Sequence, residues 1–124
     1  MEGGQTNEFR PLILVAEDDD SNFKLIKAII GKKCDIQWAK NGEEIVALFK
    51  EYGKEAKAIL MDIKMPVMNG LDATKIIREE NKEIPIIMQT AYAFSSDKEN
   101  AMNAGASEVL VKPITLSILR GTLA

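Results

Sequence analysis

The chain contains no histidine and a single cysteine, Cys34. The missing histidines remove the commonest general base, histidine-ligated zinc, and any phosphohistidine formed on these residues themselves. One cysteine excludes an internal disulfide and suits a reducing compartment, so a cytoplasmic location is expected. Cys34 itself reads as a small hydrophobe rather than a reactive thiol. No apolar run approaches the roughly 18 to 20 residues of a membrane span. The start, Met1 to Pro11, is polar and Gly-rich, unlike a signal peptide, and residues 1–10 read as a linker or tag remnant. The formal net charge is -3 and no Lys/Arg stripe offsets it, so neither nucleic acid nor membrane is expected as a direct partner. What remains is 46% hydrophobic and 28% charged, an ordinary globular composition. At 124 residues it suits one domain able to bury its own core.

Four apolar runs each end in a residue able to handle a metal or a phosphoryl group. Leu12 to Ala16 leads into Glu17-Asp18-Asp19-Asp20, and Ala58 to Met61 leads into Asp62. Ile86 to Gln89 leads into Thr90, and Val109 to Val111 leads into Lys112-Pro113. Short continuous apolar runs suit strands buried on both faces.

Helical patterns lie between them. Asn22–Ile30 carries Phe23, Ile26 and Ile30 on one face, with Gly31 as a stop. Asp35–Ala39 is a further strand. Asn41 can cap the next helix, with Glu44 completing a capping box and Ile45, Leu48, Phe49 and Tyr52 as its buried stripe. Leu71–Glu80 is helical, Pro85–Gln89 a strand, and Ser95 or Ser96 caps a helix through Asn103 that Gly105 stops. Glu108–Val111 is the fifth strand. Thr115 can cap a last helix of about 15 Å, short enough to need the sheet and to look cut from a longer chain.

Five β-α alternations predict an α/β fold, a doubly wound parallel sheet. Its common five-strand order is 2-1-3-4-5, in which ligands bind outside the carboxyl ends of the strands. That order makes strands 1, 3, 4 and 5 neighbours. The acidic cluster, Asp62, Thr90 and Lys112 would then converge on one patch with Asp62 near its centre.

At such a patch Asp18 and Asp62 suit a hard cation such as magnesium, with Glu17 assisting through water. Without a cation the like charges would raise one another's pKa. Asp62 is the best nucleophile, since carboxylates form aspartyl phosphates. Lys112 could neutralise one phosphoryl oxygen and the Thr90 hydroxyl could hydrogen-bond another.

These residues carry a resemblance. Ile13-Leu14-Val15-Ala16-Glu17-Asp18, Leu60-Met61-Asp62-Ile63-Lys64-Met65-Pro66, Asn69-Gly70, Thr90-Ala91 and Lys112-Pro113 stand in the order found in receiver domains of the two-component response-regulator family. The chain resembles that family over residues 11–124. The resemblance implies a flavodoxin-like (βα)5 fold and phosphorylation of Asp62 by a partner's phosphohistidine. The donor would be a histidine kinase or a histidine phosphotransfer domain. It implies magnesium held by Asp18, Asp62 and the backbone carbonyl of Lys64, with Glu17 assisting, and phosphoryl oxygens held by Thr90 and Lys112. Such a domain is a phosphoacceptor that assists its own phosphoryl transfer and dephosphorylation, not an enzyme with a separate substrate. A weak homodimer is a further expectation. The Glu17-Asp18 pair, Asn22 and the Met65-to-Gly70 loop are similar to receivers fused to hybrid sensor histidine kinases.

One departure stands out. Receivers often carry an aromatic residue three positions before the lysine, and here it is Val109. Coupling to the output face is therefore expected to be weak, or to run through Tyr92 or Phe94. Other readings fare worse. A calcium loop beginning at Asp18 would need Gly at Phe23 and Glu at Ile29. An aspartate-nucleophile phosphatase commonly wants a carboxylate two residues beyond Asp62, where Lys64 stands. A same-fold interaction module with an inert site remains as the alternative.

Overall fold

The structure is a computed structural model that describes residues 10–91 and 96–112. Its elements run β1 (Leu12–Ala16), α1 (Asp20–Ile30), β2 (Asp35–Ala39), α2 (Gly42–Tyr52), β3 (Ala56–Asp62), α3 (Gly70–Glu80), β4 (Ile86–Thr90), α4 (Asp97–Ala104) and β5 (Glu108–Val111). All strand pairs are parallel, in the order β2-β1-β3-β4-β5. This is the doubly wound order expected from the alternation. The last helix expected from Thr115, the residues Tyr92 and Phe94, and Ser95 as a cap lie outside the described residues.

Apolar residues on both faces of the central strands account for the layering. Leu14, Ile59, Met61, Ile86 and Met88 pack with Ile45 and Phe49 of α2 and with Ala73 and Ile77 of α3. The opposite face joins Ile13, Val15, Leu60, Ile87 and Leu110 to Phe23, Ile26 and Ile30 of α1. The stripe expected on α1 is therefore the buried one. On α2, Ile45 and Phe49 are buried, while Leu48 and Tyr52 flank the core half-exposed.

The helix starts follow side-chain capping. Asp19, Asn41 and Asn69 each accept the backbone N–H three residues on, from Asn22, Glu44 and Asp72, all at 2.9 Å. Two details differ from expectation. Glu44 reaches back to the N–H of Lys40 at 2.8 Å, one residue before the cap, so the capping box is offset. Ser96 precedes α4 in helical geometry without a side-chain capping bond, so α4 begins uncapped by it. Gly105 ends α4 at φ 116°, a left-handed value that a residue with a Cβ resists.

Candidate functional site

The carboxyl ends of β1, β3, β4 and β5 bring the expected side chains together. Asp62 closes β3 at the centre of the sheet and is 7% exposed. Glu17, just past β1, is fully buried, and Asp18 beside it is exposed. One carboxylate oxygen from each of Glu17, Asp18 and Asp62 lies within 4.8 Å of the others. Lys112, past the end of β5, donates from Nζ to Asp62 Oδ2 at 2.9 Å and stands 3.4 Å from Glu17 Oε1. Its backbone N–H extends the ladder to the Thr90 carbonyl at 2.8 Å. Thr90, 3% exposed, closes β4. A cavity of about 110 Å³ opens between Asp62, Lys64, Gln89, Thr90, Asp97 and Lys112.

The four consecutive acidic residues turn out to do separate work. Glu17 and Asp18 face the cluster. Asp19 caps α1, and Asp20 opens that helix and pairs with Lys40 at 3.2 Å. The patch is therefore less acidic than the bare run suggests.

Glu17 is held from several sides. Asn22 Nδ2 donates to its Oε1, and the Asp19 N–H donates to its Oε2 at 3.2 Å. Its carbonyl accepts Trp38 Nε1–H at 2.8 Å, and its own N–H reaches the Ala39 carbonyl at 2.9 Å. Burial pushes the Glu17 carboxyl up to about 7, and the Asp62 charge adds to this; Asn22 and Lys112 pull the other way. For Lys112, burial opposes the charge, but its bond to Asp62 and the nearby carboxylates prevail and raise its pKa. Glu17 and Asp62 thus face a single ammonium in a pocket where burial disfavours an unpaired charge.

The residue types fit a magnesium ion. The donors are hard carboxylate oxygens, they converge within bonding span of one centre, and Asp18 keeps an open side for water.

Glycine makes the loop behind Asp62 possible. A Cβ on Gly70 would sit 2.2 Å from the Asp62 carbonyl oxygen, and the Gly70 N–H donates to the Ile63 carbonyl at 2.8 Å. Within the same loop Val67 adopts φ 70°, and the Met68 N–H donates to the Pro66 carbonyl at 2.7 Å across it. A β-branched residue in the left-handed region is strained, so this loop is held there by its surroundings.

Four contributors escape sequence reading: Gln89, Asp97, Asn22 as a clamp on Glu17, and Trp38. Gln89 gives one local hint, a lone carboxamide inside the run Ile86-Ile87-Met88. Asp97 faces Lys64 across the cavity at 4.0 Å, from 33 residues away in the chain, and nothing local announces it. Val109 is half-buried against the α2/α3 core and pairs in register with Met88.

A family model described as "Response regulator receiver domain" matches residues 13–124. The chain belongs to that family, and so to two-component signal transduction. It is 41% identical over 115 residues to Hybrid signal transduction histidine kinase I of Dictyostelium discoideum, a match covering 86% of this chain and 7% of that protein. Among solved structures it is similar to the receiver domain of a sensor histidine kinase from Pseudomonas aeruginosa, determined with a magnesium ion coordinated in its active-site cleft. That match has TM-score 0.85 and 31% identity, and covers 93% of this chain and 95% of the other. It is also similar to a Saccharomyces cerevisiae co-crystal of a histidine phosphotransfer protein with the receiver domain of its downstream response regulator. There the TM-score is 0.83 with 29% identity, covering 92% and 86%.

Proposed function

We propose that residues 11–124 form a receiver in which Asp62 accepts a phosphoryl group from a phosphohistidine. The observation that carries this is the Asp62 carboxylate itself: central in the sheet, bonded to Lys112 at 2.9 Å and ringed by Glu17 and Asp18. With no histidine in the sequence, the donor histidine belongs elsewhere, on a histidine kinase or a phosphotransfer domain. The yeast complex supports a phosphotransfer protein as the kind of partner. The Dictyostelium relative supports a hybrid kinase as the kind of parent chain. A cytoplasmic location fits the single cysteine.

An Asp62 carboxylate oxygen attacks phosphorus in line. The new P–O bond forms as the P–N bond to the donor imidazole breaks, and the electron pair leaves with that nitrogen. Lys112 holds charge on one phosphoryl oxygen and Thr90 donates to another. Bound by Asp18, Asp62 and the Lys64 carbonyl, with Glu17 assisting, magnesium would neutralise phosphoryl charge there. The charge added at Asp62 then biases a two-state equilibrium near Thr90 and α4. Hydrolysis restores the carboxylate and releases inorganic phosphate.

Incubating the domain with a small phosphoryl donor and magnesium, then reading intact mass, tests this. One base-labile phosphoryl group is expected on the parent and none on Asp62→Asn. An adduct that persists at an aspartate in the variant would refute the assignment. Asp18→Ala should weaken magnesium binding; an unchanged titration would move the metal elsewhere.

A further inference from the structure

Gln89 is fully buried, yet among the described residues neither its Nε2 nor its Oε1 has a hydrogen-bond partner. Burying a carboxamide without partners is costly, and Met or Leu would fill the same space without that cost. Strand packing therefore gives no reason for a glutamine here.

Its place in the sheet supplies one. Gln89 pairs in register with Asp62 on β3 and with Leu110 on β5. Side chains alternate along a strand, so these three share one face of the sheet, the face carrying Leu60 and Ile87. Lys112 lies two residues beyond Leu110 and leaves the strand end on that same face. To reach Asp62 on β3 from the end of β5, the Lys112 side chain must cross β4, the strand between them. Gln89 is the β4 residue of that face nearest the crossing, and it lines the same cavity as Lys112 and Asp62.

The Lys112 ammonium occupies carboxylates that a divalent cation would also take. It donates to Asp62 and stands 3.4 Å from Glu17, two of the three clustered acids. Like charges repel, so Lys112 must loosen its hold on those oxygens when a cation is bound. An ammonium has three donors and needs acceptors wherever it settles. We propose that Gln89 is a positioning residue for Lys112: its Oε1 accepts a hydrogen bond from Nζ when a cation occupies the carboxylates, keeping the ammonium beside Asp62. This rests on the reading of Asp62 and its neighbours as a magnesium-assisted phosphoacceptor site.

The test uses the full 124-residue chain, free of metal and labelled with 15N. Magnesium is titrated while Trp38 fluorescence is followed, since the indole N–H is bonded to Glu17. Side-chain amide and ammonium resonances are recorded in parallel. In the parent, magnesium should shift both the Gln89 amide and Lys112 ammonium signals. Gln89→Met should fold at least as stably, leave the Lys112 signal at magnesium saturation at a different position from the parent's, and weaken magnesium binding about three- to tenfold. That is the worth of a hydrogen bond to a charged group, reduced for the partial exposure of Lys112. If Gln89→Met folds poorly, Gln89→Leu replaces it. Unmoved Gln89 resonances in the parent, or unchanged magnesium affinity in the folded variant, would overturn the inference. If Asp62 of the parent still takes the phosphoryl group, that failure leaves the phosphoacceptor reading standing. A parent that binds no magnesium would sink both.

Discussion

The two ends of this sheet handle polar groups in opposite ways. At the amino end a groove of about 760 Å³ is lined by Arg10, Asp35 and Tyr52 among others. Arg10 there is fully committed: it donates to Asp35 at 2.9 Å and to the carbonyls of Lys32, Gly31 and Cys34 at 2.8 to 3.1 Å. Its role is to tie the entry to β1 onto the end of α1. At the carboxyl end the cavity is far smaller, about 110 Å³, and its account is unbalanced. Two of the three clustered carboxylates share one ammonium, a buried carboxamide lacks partners among the described residues, and a valine in the loop after Asp62 holds a left-handed backbone. Cavity size thus points to the wrong end, whereas uncompensated charge and strain mark the end where a cation and a phosphoryl group would complete the chemistry.

The contrast is most easily broken with pH. Glu17 has a folded-state pKa of about 7 against an ordinary 4.5, so between those values the folded state holds a proton that the unfolded state has released. Its contribution is fully present below about 4.5 and lost as pH rises through about 7. Metal-free protein should therefore lose up to about 3 kcal/mol of stability across that window. Glu17→Gln should flatten the profile; urea unfolding at pH 5 and pH 8 would decide, and equal slopes in parent and variant would refute the burial argument. Magnesium should abolish the loss in the parent by favouring the ionised form.

Next in size is Gly70→Ala. The added methyl would meet the Asp62 carbonyl oxygen, a backbone atom with nowhere to retreat, at a cost of about 2 kcal/mol. Chemical denaturation would show the loss, and magnesium titration should show a weakened site as Asp62 moves. At the opposite end Arg10→Ala should cost about 1 kcal/mol, because its bonds are solvent-exposed, and should leave magnesium affinity unchanged. An effect on magnesium would mean that the two ends are coupled. The smallest effect is Val67→Gly, expected to stabilise by about 0.5 kcal/mol as relief of the left-handed strain slightly exceeds the entropy glycine adds to the unfolded chain. A lower melting temperature would show that the valine side chain contributes more than its backbone costs.

Much of this was open to reading from the sequence. The expected bounds of β1, β2 and β5 coincide with the observed ones; β1 is the buried, unbroken apolar run, while β2 and β5 are edge strands in which polar residues interrupt or open the run. β3 is longer than its apolar core, extending from Ala56 through Asp62, and β4 begins at Ile86 rather than Pro85. Strand ends depend on ladder bonds to neighbouring strands, which local composition does not specify. The expected site residues Glu17, Asp18, Asp62, Thr90 and Lys112 meet at one sheet edge, because each follows a strand in a topology that aligns the carboxyl ends. The parts that Asn22, Trp38, Gln89 and Asp97 take in the site are not legible locally, because they lie in contacts formed across strands and loops.

The sequence by itself determined the β-α rhythm, the side-chain cap at Asn41, and the chemical types available at the strand ends. Those properties act within a few residues, through backbone geometry and apolar periodicity. Tertiary structure alone decided how the acidic run is divided, which carboxyl is driven up by burial, and that Gln89 lies between Asp62 and Leu110 without a partner among the described residues. Desolvation and Coulomb energy depend on distance in space, and that distance was set only when β1, β3, β4 and β5 were laid side by side.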